Sequence, residues 1–268
     1  MASTLWQDIK YGARMLLKNP GVTIIVIIAL ALGIGANTAI FSVVNAVLLR
    51  PLPYHESDRL VFLNEKSPVL DEMSISYPNF IDWRNHNQSF EKMGVYNRAS
   101  YNLTGTSGDP ERIVTGQMSA DLFSVLRVNP LHGRLYTNDE DKPGGTPVVV
   151  LSYPLWQRRF GGQTSILNQA ITLNNKSYTV IGIMPEEYLY PSRVEMWVPV
   201  GQLSDQPSWQ SRGNHPGLYG VARLKPGVTF EQAEADMNNI GANLEKQYPD
   251  SNTATRVRMR WLMEIFVV

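Results

Sequence analysis

The stretch from Gly21 to Leu49, GVTIIVIIALALGIGANTAIFSVVNAVLL, contains no Lys, Arg, Asp, Glu or His. All 24 basic and all 24 acidic residues of the 268-residue chain lie outside it. As a helix rising about 1.5 Å per residue, its 29 positions reach ~43 Å, more than the ~30 Å hydrocarbon core of a bilayer. Val22 to Val47 therefore reads as a membrane-crossing helix. A cleavable secretory signal is the competing reading, and Ala29-Leu30-Ala31 has the small-x-small form that signal peptidase accepts. Apolar sequence continues past that point through Ile34, Ile40, Phe41, Val43, Val44 and Val47, where a cleaved signal would give way to polar mature chain. The span is read as uncleaved.

Outward from the span, the flanks set its orientation. Asp8, Lys10, Arg14 and Lys18 precede it with a net charge of +2, whereas Arg50, Glu56, Asp58 and Arg59 follow it with none. The positive-inside bias places the N-terminus in the cytoplasm and residues 50–268 outside. Residues 1–20 form a segment of their own. Leu5, Trp6, Ile9, Ala13, Leu16 and Leu17 gather on one side of a helical wheel, and Lys10, Arg14 and Lys18 recur every four residues along the flank. This pattern predicts an interfacial amphipathic helix whose cations face lipid head groups, ending at Asn19-Pro20-Gly21.

Within the span, Ala31, Gly35, Thr38, Ser42 and Asn45 are spaced four, three, four and three apart, a narrow seam of small and polar side chains, with Asn37 off it. Small residues let helix backbones approach, and hydroxyl or amide groups are better bonded to a neighbour than left facing lipid. The seam is expected to pack against a partner subunit or a second copy. Small residues are also common in membrane helices without such a role.

The part from residue 50 reads as mixed α and β. Leu60–Leu63 predicts a short strand, Ser76-Tyr77-Pro78 and Ser152-Tyr153-Pro154 open helices, and Glu91–Thr104 and Glu111–Met118 are strands around the turn Thr106-Ser107-Gly108-Asp109-Pro110. Pro147–Leu151 is a buried strand, and Ala170–Met184 a hairpin turning at Asn174-Asn175. After the strand Leu218–Leu224, Thr229 and Gln232 form a capping box for a helix ending near Tyr248-Pro249-Asp250, and Arg256–Trp261 alternates as a strand, giving a β-α-β unit. The fold class is α+β: one transmembrane helix at 21–49 followed by a mixed α/β domain at 50–268.

Chemistry is sparse. The absence of cysteine removes disulfides, thiolate zinc sites and cysteine nucleophiles, and the zero net charge does not fit a nucleic-acid binder. His55, His86, His132 and His215 are scattered, and Gly144-Gly145-Thr146 and Gly161-Gly162-Gln163-Thr164 lack a Walker lysine. Asn138-Asp139-Glu140-Asp141 departs from calcium-loop spacing and reads as a solvated loop, while Trp83, Trp156 and Trp197 read as core residues. No catalytic residue, cofactor site or metal site is expected, and the chain is not read as an enzyme.

The runs Asp8-Ile9-Lys10-Tyr11-Gly12-Ala13-Arg14-Met15-Leu16, Leu32-Gly33-Ile34-Gly35-Ala36-Asn37-Thr38-Ala39-Ile40-Phe41-Ser42 and Leu48-Leu49-Arg50-Pro51-Leu52-Pro53-Tyr54 resemble the start of a MacB/FtsX-type ABC transporter permease, of the duplicated kind described in acidobacteria. Val150-Leu151-Ser152-Tyr153, Trp156-Gln157-Arg158-Arg159-Phe160-Gly161-Gly162, Val180-Ile181-Gly182-Ile183-Met184-Pro185 and Trp197-Val198-Pro199 resemble the MacB-like periplasmic core domain. The resemblance implies a half-permease of the bacterial inner membrane: a cytoplasmic N-terminus, a first membrane helix, a periplasmic domain and three later helices. It also implies a separate ABC ATPase, a second permease half or copy and a periplasmic adaptor as partners besides the lipid bilayer. The sequence stops at Glu264-Ile265-Phe266-Val267-Val268, about where such a chain re-enters the membrane, and is expected to be a fragment or truncated reading frame. A membrane-tethered binding or scaffold domain needing no ATPase is the alternative, with a tethered hydrolase ranked last.

Overall fold

The computed structural model describes residues 2–44, 52–105, 108–188 and 190–266. The chain divides into two compact units, one built from residues up to Arg50 and one from Pro51 to Phe266.

The first unit is a pair of helices, α1 (Ala2–Lys18) and α2 (Pro20–Val44). Proline at the first position of α2 costs no hydrogen bond, because its missing N–H belongs to a helix turn without internal partners. The side chains of α2 described from Ile24 to Phe41 are all exposed, including Leu32 at 69% and Ile25 at 68%.

The second unit contains β1 (Leu60–Lys66), α3 (Tyr77–His86), β2 (Phe90–Thr104), β3 (Glu111–Met118), α4 (Ala120–Leu126), β4 (His132–Gly133), β5 (Val148–Leu151), α5 (Tyr153–Phe160), β6 (Ala170–Leu173) and β7 (Lys176–Ile183). It continues with β8 (Met196–Pro199), α6 (Pro207–Gln210), β9 (Tyr219–Leu224), α7 (Phe230–Gln247), α8 (Pro249–Asn252) and β10 (Arg256–Trp261). The strands form one sheet in the order β10-β1-β9-β2-β3-β8-β5-β7-β4, with β6 against β2 and β7.

The β-α-β unit expected at the C-terminal end has a different pairing from a simple crossover. β9 and β10 are parallel to each other but lie on either side of β1, which runs antiparallel to both. β1 and β2 in turn flank β9. Thus β1-α3-β2 and β9-α7-β10 are two split β-α-β units threaded through one another, a ferredoxin-like arrangement. Everything from β3 to α6 is inserted between β2 and β9.

Burial explains the strand sequences. Val61 and Leu63 face α3 and α7, packing with Phe80, Trp83, Met237 and Ile240. Leu60 and Phe62 face the other way, toward Leu122, Phe123 and Leu126 of α4. Both faces of β1 are therefore covered, and its first four residues are apolar without alternation. The strand also runs three residues beyond the expected Leu63, because Asn64 and Glu65 are fully buried and paired in register with Arg258 and Val257.

Local signals place the helices and turns. Ser76 Oγ accepts from Asn79 N at 3.4 Å and Ser152 Oγ from Leu155 N at 3.3 Å, capping α3 and α5. Thr229 and Gln232 exchange hydrogen bonds of 3.3 and 3.0 Å at the start of α7. Asn174 and Asn175, at φ 48° and 64°, make the two-residue turn of the β6–β7 hairpin. The expected turn at 106–110 falls partly outside the described residues.

Where α4 crosses β2, a Cβ added at Gly94 would lie 2.7 Å from the Leu122 Cα. Gly94→Val should therefore destabilise the domain by about 1–3 kcal/mol, read from urea unfolding followed by tryptophan fluorescence in detergent solution. An unchanged midpoint would show that α4 can move off the sheet without cost.

Candidate functional site

The residues singled out in the sequence occupy the helical pair. Lys10, Arg14 and Lys18 lie exposed along one flank of α1, and Lys10 Nζ sits 5.7 Å from the centre of the Trp6 ring. Ala31, Gly35 and Thr38 share one surface of α2, all exposed, and a Cβ at Gly35 would meet nothing within 4 Å. Ser42 continues the helix, while Asn45 lies outside the described residues.

Sequence reasoning missed the device that joins the two helices. Thr23 Oγ1 is 2.7 Å from Leu16 O and 2.9 Å from Asn19 O. The last carbonyls of a helix lack internal donors, and the Thr23 hydroxyl supplies one across the Asn19 break. Threonine four residues beyond the break was the available signal.

The second unit holds three polar assemblies. Glu56, at φ 48°, is the hub of the first. Its Oε2 accepts from Arg59 Nη1 at 2.6 Å and Arg127 Nη1 at 2.7 Å, and its carbonyl accepts from Arg223 Nη1 at 3.0 Å. Against a desolvation cost, the charges of Arg59 and Arg127 hold the Glu56 carboxyl below the usual range. Arg223 is 1% exposed and donates from Nε to Val125 O at 2.8 Å, so the segment entering the domain is tied to both β9 and α4.

A second assembly ties the loop before β9 to the core. The buried Glu65 accepts from Asn79 Nδ2 at 2.8 Å and meets His215 Nε2 at 2.7 Å. Asn79 also bonds Asn252 at 2.9 Å and Arg212 Nη1 at 2.8 Å, and Arg212 pairs with Asp82 at 2.6 Å.

The third corrects the reading of 138–141 as a solvated loop. Asp139 pairs with Lys142 and Glu140 with Arg134, each at 2.8 Å, but Asp141 turns inward, accepting from Ala120 N at 2.9 Å and Gly201 N at 2.6 Å. Burial pushes its carboxyl up to about 7, outweighing both N–H groups. Among the described residues, no group of acidic and histidine side chains is arranged to hold a metal ion. Trp83, Trp156 and Trp197 are core residues, at 2%, 5% and 0% exposed. Among the described residues the arrangement offers apolar helix surface, ion-paired joints and a cleft.

Residues 23–240 match the family model of the MacB-like periplasmic core domain. The chain belongs to that family. Solved structures agree in fold. The periplasmic region of MacB from Actinobacillus actinomycetemcomitans is similar with a TM-score of 0.53 at 14% identity, over 75% of this chain and 89% of that one. The extracellular domain of the noncanonic ABC-type transporter YknZ from Gram-positive bacteria gives 0.55 at 15% identity, over 74% and 99%. A domain of a protein described as a permease from Porphyromonas gingivalis gives 0.57 at 14% identity, over 80% and 99%. No curated protein sequence matches the chain.

The His215–Glu65 pair gives a pH test. The hydrogen bond to Glu65 raises the His215 pKa above its usual 6.5, against partial desolvation. Its stabilisation is complete below the unfolded value and is lost as pH rises through the raised folded value. Unfolding midpoints should therefore fall as pH rises above about 6.5, and His215→Gln should flatten that step. An identical slope in the variant would remove the pair from the account.

Proposed function

We propose that this chain is the N-terminal part of an ABC-type permease subunit, with α2 crossing the inner membrane and the MacB-like domain outside it. The observation that carries the reading is a 25-residue helix without a charge, its described apolar side chains exposed, at the start of a chain whose residues 23–240 match this family. The names of two solved neighbours, an ABC-type transporter and a permease, support it.

On this reading α1 lies on the cytoplasmic leaflet with Lys10, Arg14 and Lys18 toward anionic head groups, and the Thr23 hydroxyl holds the corner between α1 and the span. Ala31, Gly35, Thr38, Ser42 and Asn45 face a neighbouring membrane helix from a second permease half or copy. A separate ATPase drives motion through these helices, and a periplasmic adaptor meets the domain on the far side. The Glu56 cluster receives that motion where the chain enters the domain.

Alkaline carbonate should leave the intact chain in the membrane pellet, and protease added to sealed spheroplasts should digest residues beyond 50. Release by carbonate would exclude the span. Gly35→Leu should lower recovery of a differently tagged second copy or partner spans about tenfold, the equivalent of ~1.4 kcal/mol of helix contact. Unchanged co-purification would take Gly35 out of the interface.

A further inference from the structure

A groove runs between α3 on one side and α4 with the loop 137–146 on the other. Its main cavity, about 390 Å³, is lined by Tyr77, Phe80, Arg84, Asp121, Asn138 and Asp141 among others. Arg84 and Asp121 recur in an adjoining recess of about 200 Å³ that also contains Glu91 and Lys92.

Nearly every charge along this groove is already engaged. Asp121 faces Lys92 at 3.7 Å and accepts from Asn138 Nδ2 at 3.4 Å. Lys142 is held by Asp139 at 2.8 Å, and Glu91 by Arg59 at 2.9 Å. Asp141 is occupied by two backbone N–H groups. Arg84 is the exception: among the described residues its guanidinium makes no hydrogen bond or ion pair; it rests against the Phe80 ring at 5.6 Å, and its charge acts on Asp141 and Tyr77 across the cavity. A planar guanidinium oriented by an aromatic face presents a two-pronged donor that matches a carboxylate.

We propose that this groove binds a small organic acid, its carboxylate paired with Arg84 and its hydroxyl or amide groups facing Asp121 and Asn138. A free cation or amine fits less well, because the carboxylates are taken by Lys92 and backbone N–H groups. A phosphate-dense ligand would need Lys92 and Lys142 released from their partners as well. The volume falls in the lower part of the ~300–1,000 Å³ range of small-molecule sites.

Asp141 makes the site pH-dependent. It shares the cavity with Asp121, Arg84, Lys142 and Tyr77, and Tyr136 packs close by. With its carboxyl at about 7, it is largely neutral in mildly acidic solution and does not repel an incoming acid; ionised, it does.

The inference does not rest on the permease reading, and its test is a binding measurement on the full chain in detergent. Glucuronate, N-acetylglutamate and glutarate are titrated by calorimetry, with glucose as the uncharged counterpart of glucuronate. At least one acid should bind, more tightly at about pH 6 than at about pH 8, with Asp141→Asn removing that difference. Arg84→Gln should weaken the binding about tenfold or more. Arg98→Gln, at another exposed arginine without an ion pair outside the groove, should leave it unchanged. Arg84 is exposed, so an unaltered unfolding midpoint for Arg84→Gln separates lost binding from lost fold. Absence of binding by all three acids, binding that survives Arg84→Gln, or glucose binding as tightly as glucuronate would overturn the proposal.

Discussion

A helix whose backbone bonds are internal and whose side chains are uncharged and mostly apolar has few favourable contacts to make with water along its length. α2 is such a helix, and burial of large apolar side chains contributes roughly 1.5–3 kcal/mol each. With the described residues from Ile24 to Phe41 exposed, that stabilisation has to come from contacts outside the helix, which on the proposed reading hydrocarbon supplies. The membrane reading of the chain depends on this one demand. On the proposed membrane reading it gives Lys10, Arg14 and Lys18 anionic head groups to face and the Thr23 hydroxyl its place: at a corner near hydrocarbon, the end carbonyls of α1 need a donor other than water.

The domain meets the same demand by another route. Two interlocked split β-α-β units place β1 at the centre of the ferredoxin-like half, with neighbours on both edges and helices on both faces. The short turn of helix at Leu262–Ile265 packs near Ser57–Arg59, so the chain enters and leaves this half at one end. Glu56 stands at that end, bonded to arginines from three separate elements. Such a joint is stiff for its size, because each guanidinium is also held by a backbone carbonyl or a second carboxylate.

Much of this was readable from residue patterns. Charge exclusion gives the span, Ser-Tyr-Pro gives two helix starts, the Thr229–Gln232 pair gives the start of α7, and paired asparagines give the β6–β7 turn, since each signal acts over a few residues. Pairing of β1 between β9 and β10 was not readable, because register across 150 or more residues depends on which faces meet, not on any local period. Glu65 looked like the end of a strand for the same reason: its carboxylate is bonded by His215, 150 residues further along the chain. The cleft at Asp141 was hidden because a run of four polar residues says nothing about which of them turns inward.

The buried polar assembly around Glu65 and Asn79 shows what such residues contribute. An apolar replacement could fill the same volume, and burying ions without full pairing is costly. Yet Asn79 receives from Asn252 and Arg212 while donating to Glu65 and Asn252, so every partner must arrive from one particular direction. Arg212 and His215 lie on the segment that brings the chain back from the long insertion to β9. Apolar contacts alone would tolerate that segment shifting by a residue. Directional bonds to a carboxylate with no exposure do not, since a shift takes His215 away from the buried Glu65. The network thereby specifies where β9 begins, and with it the position of the strand that holds the two split units together.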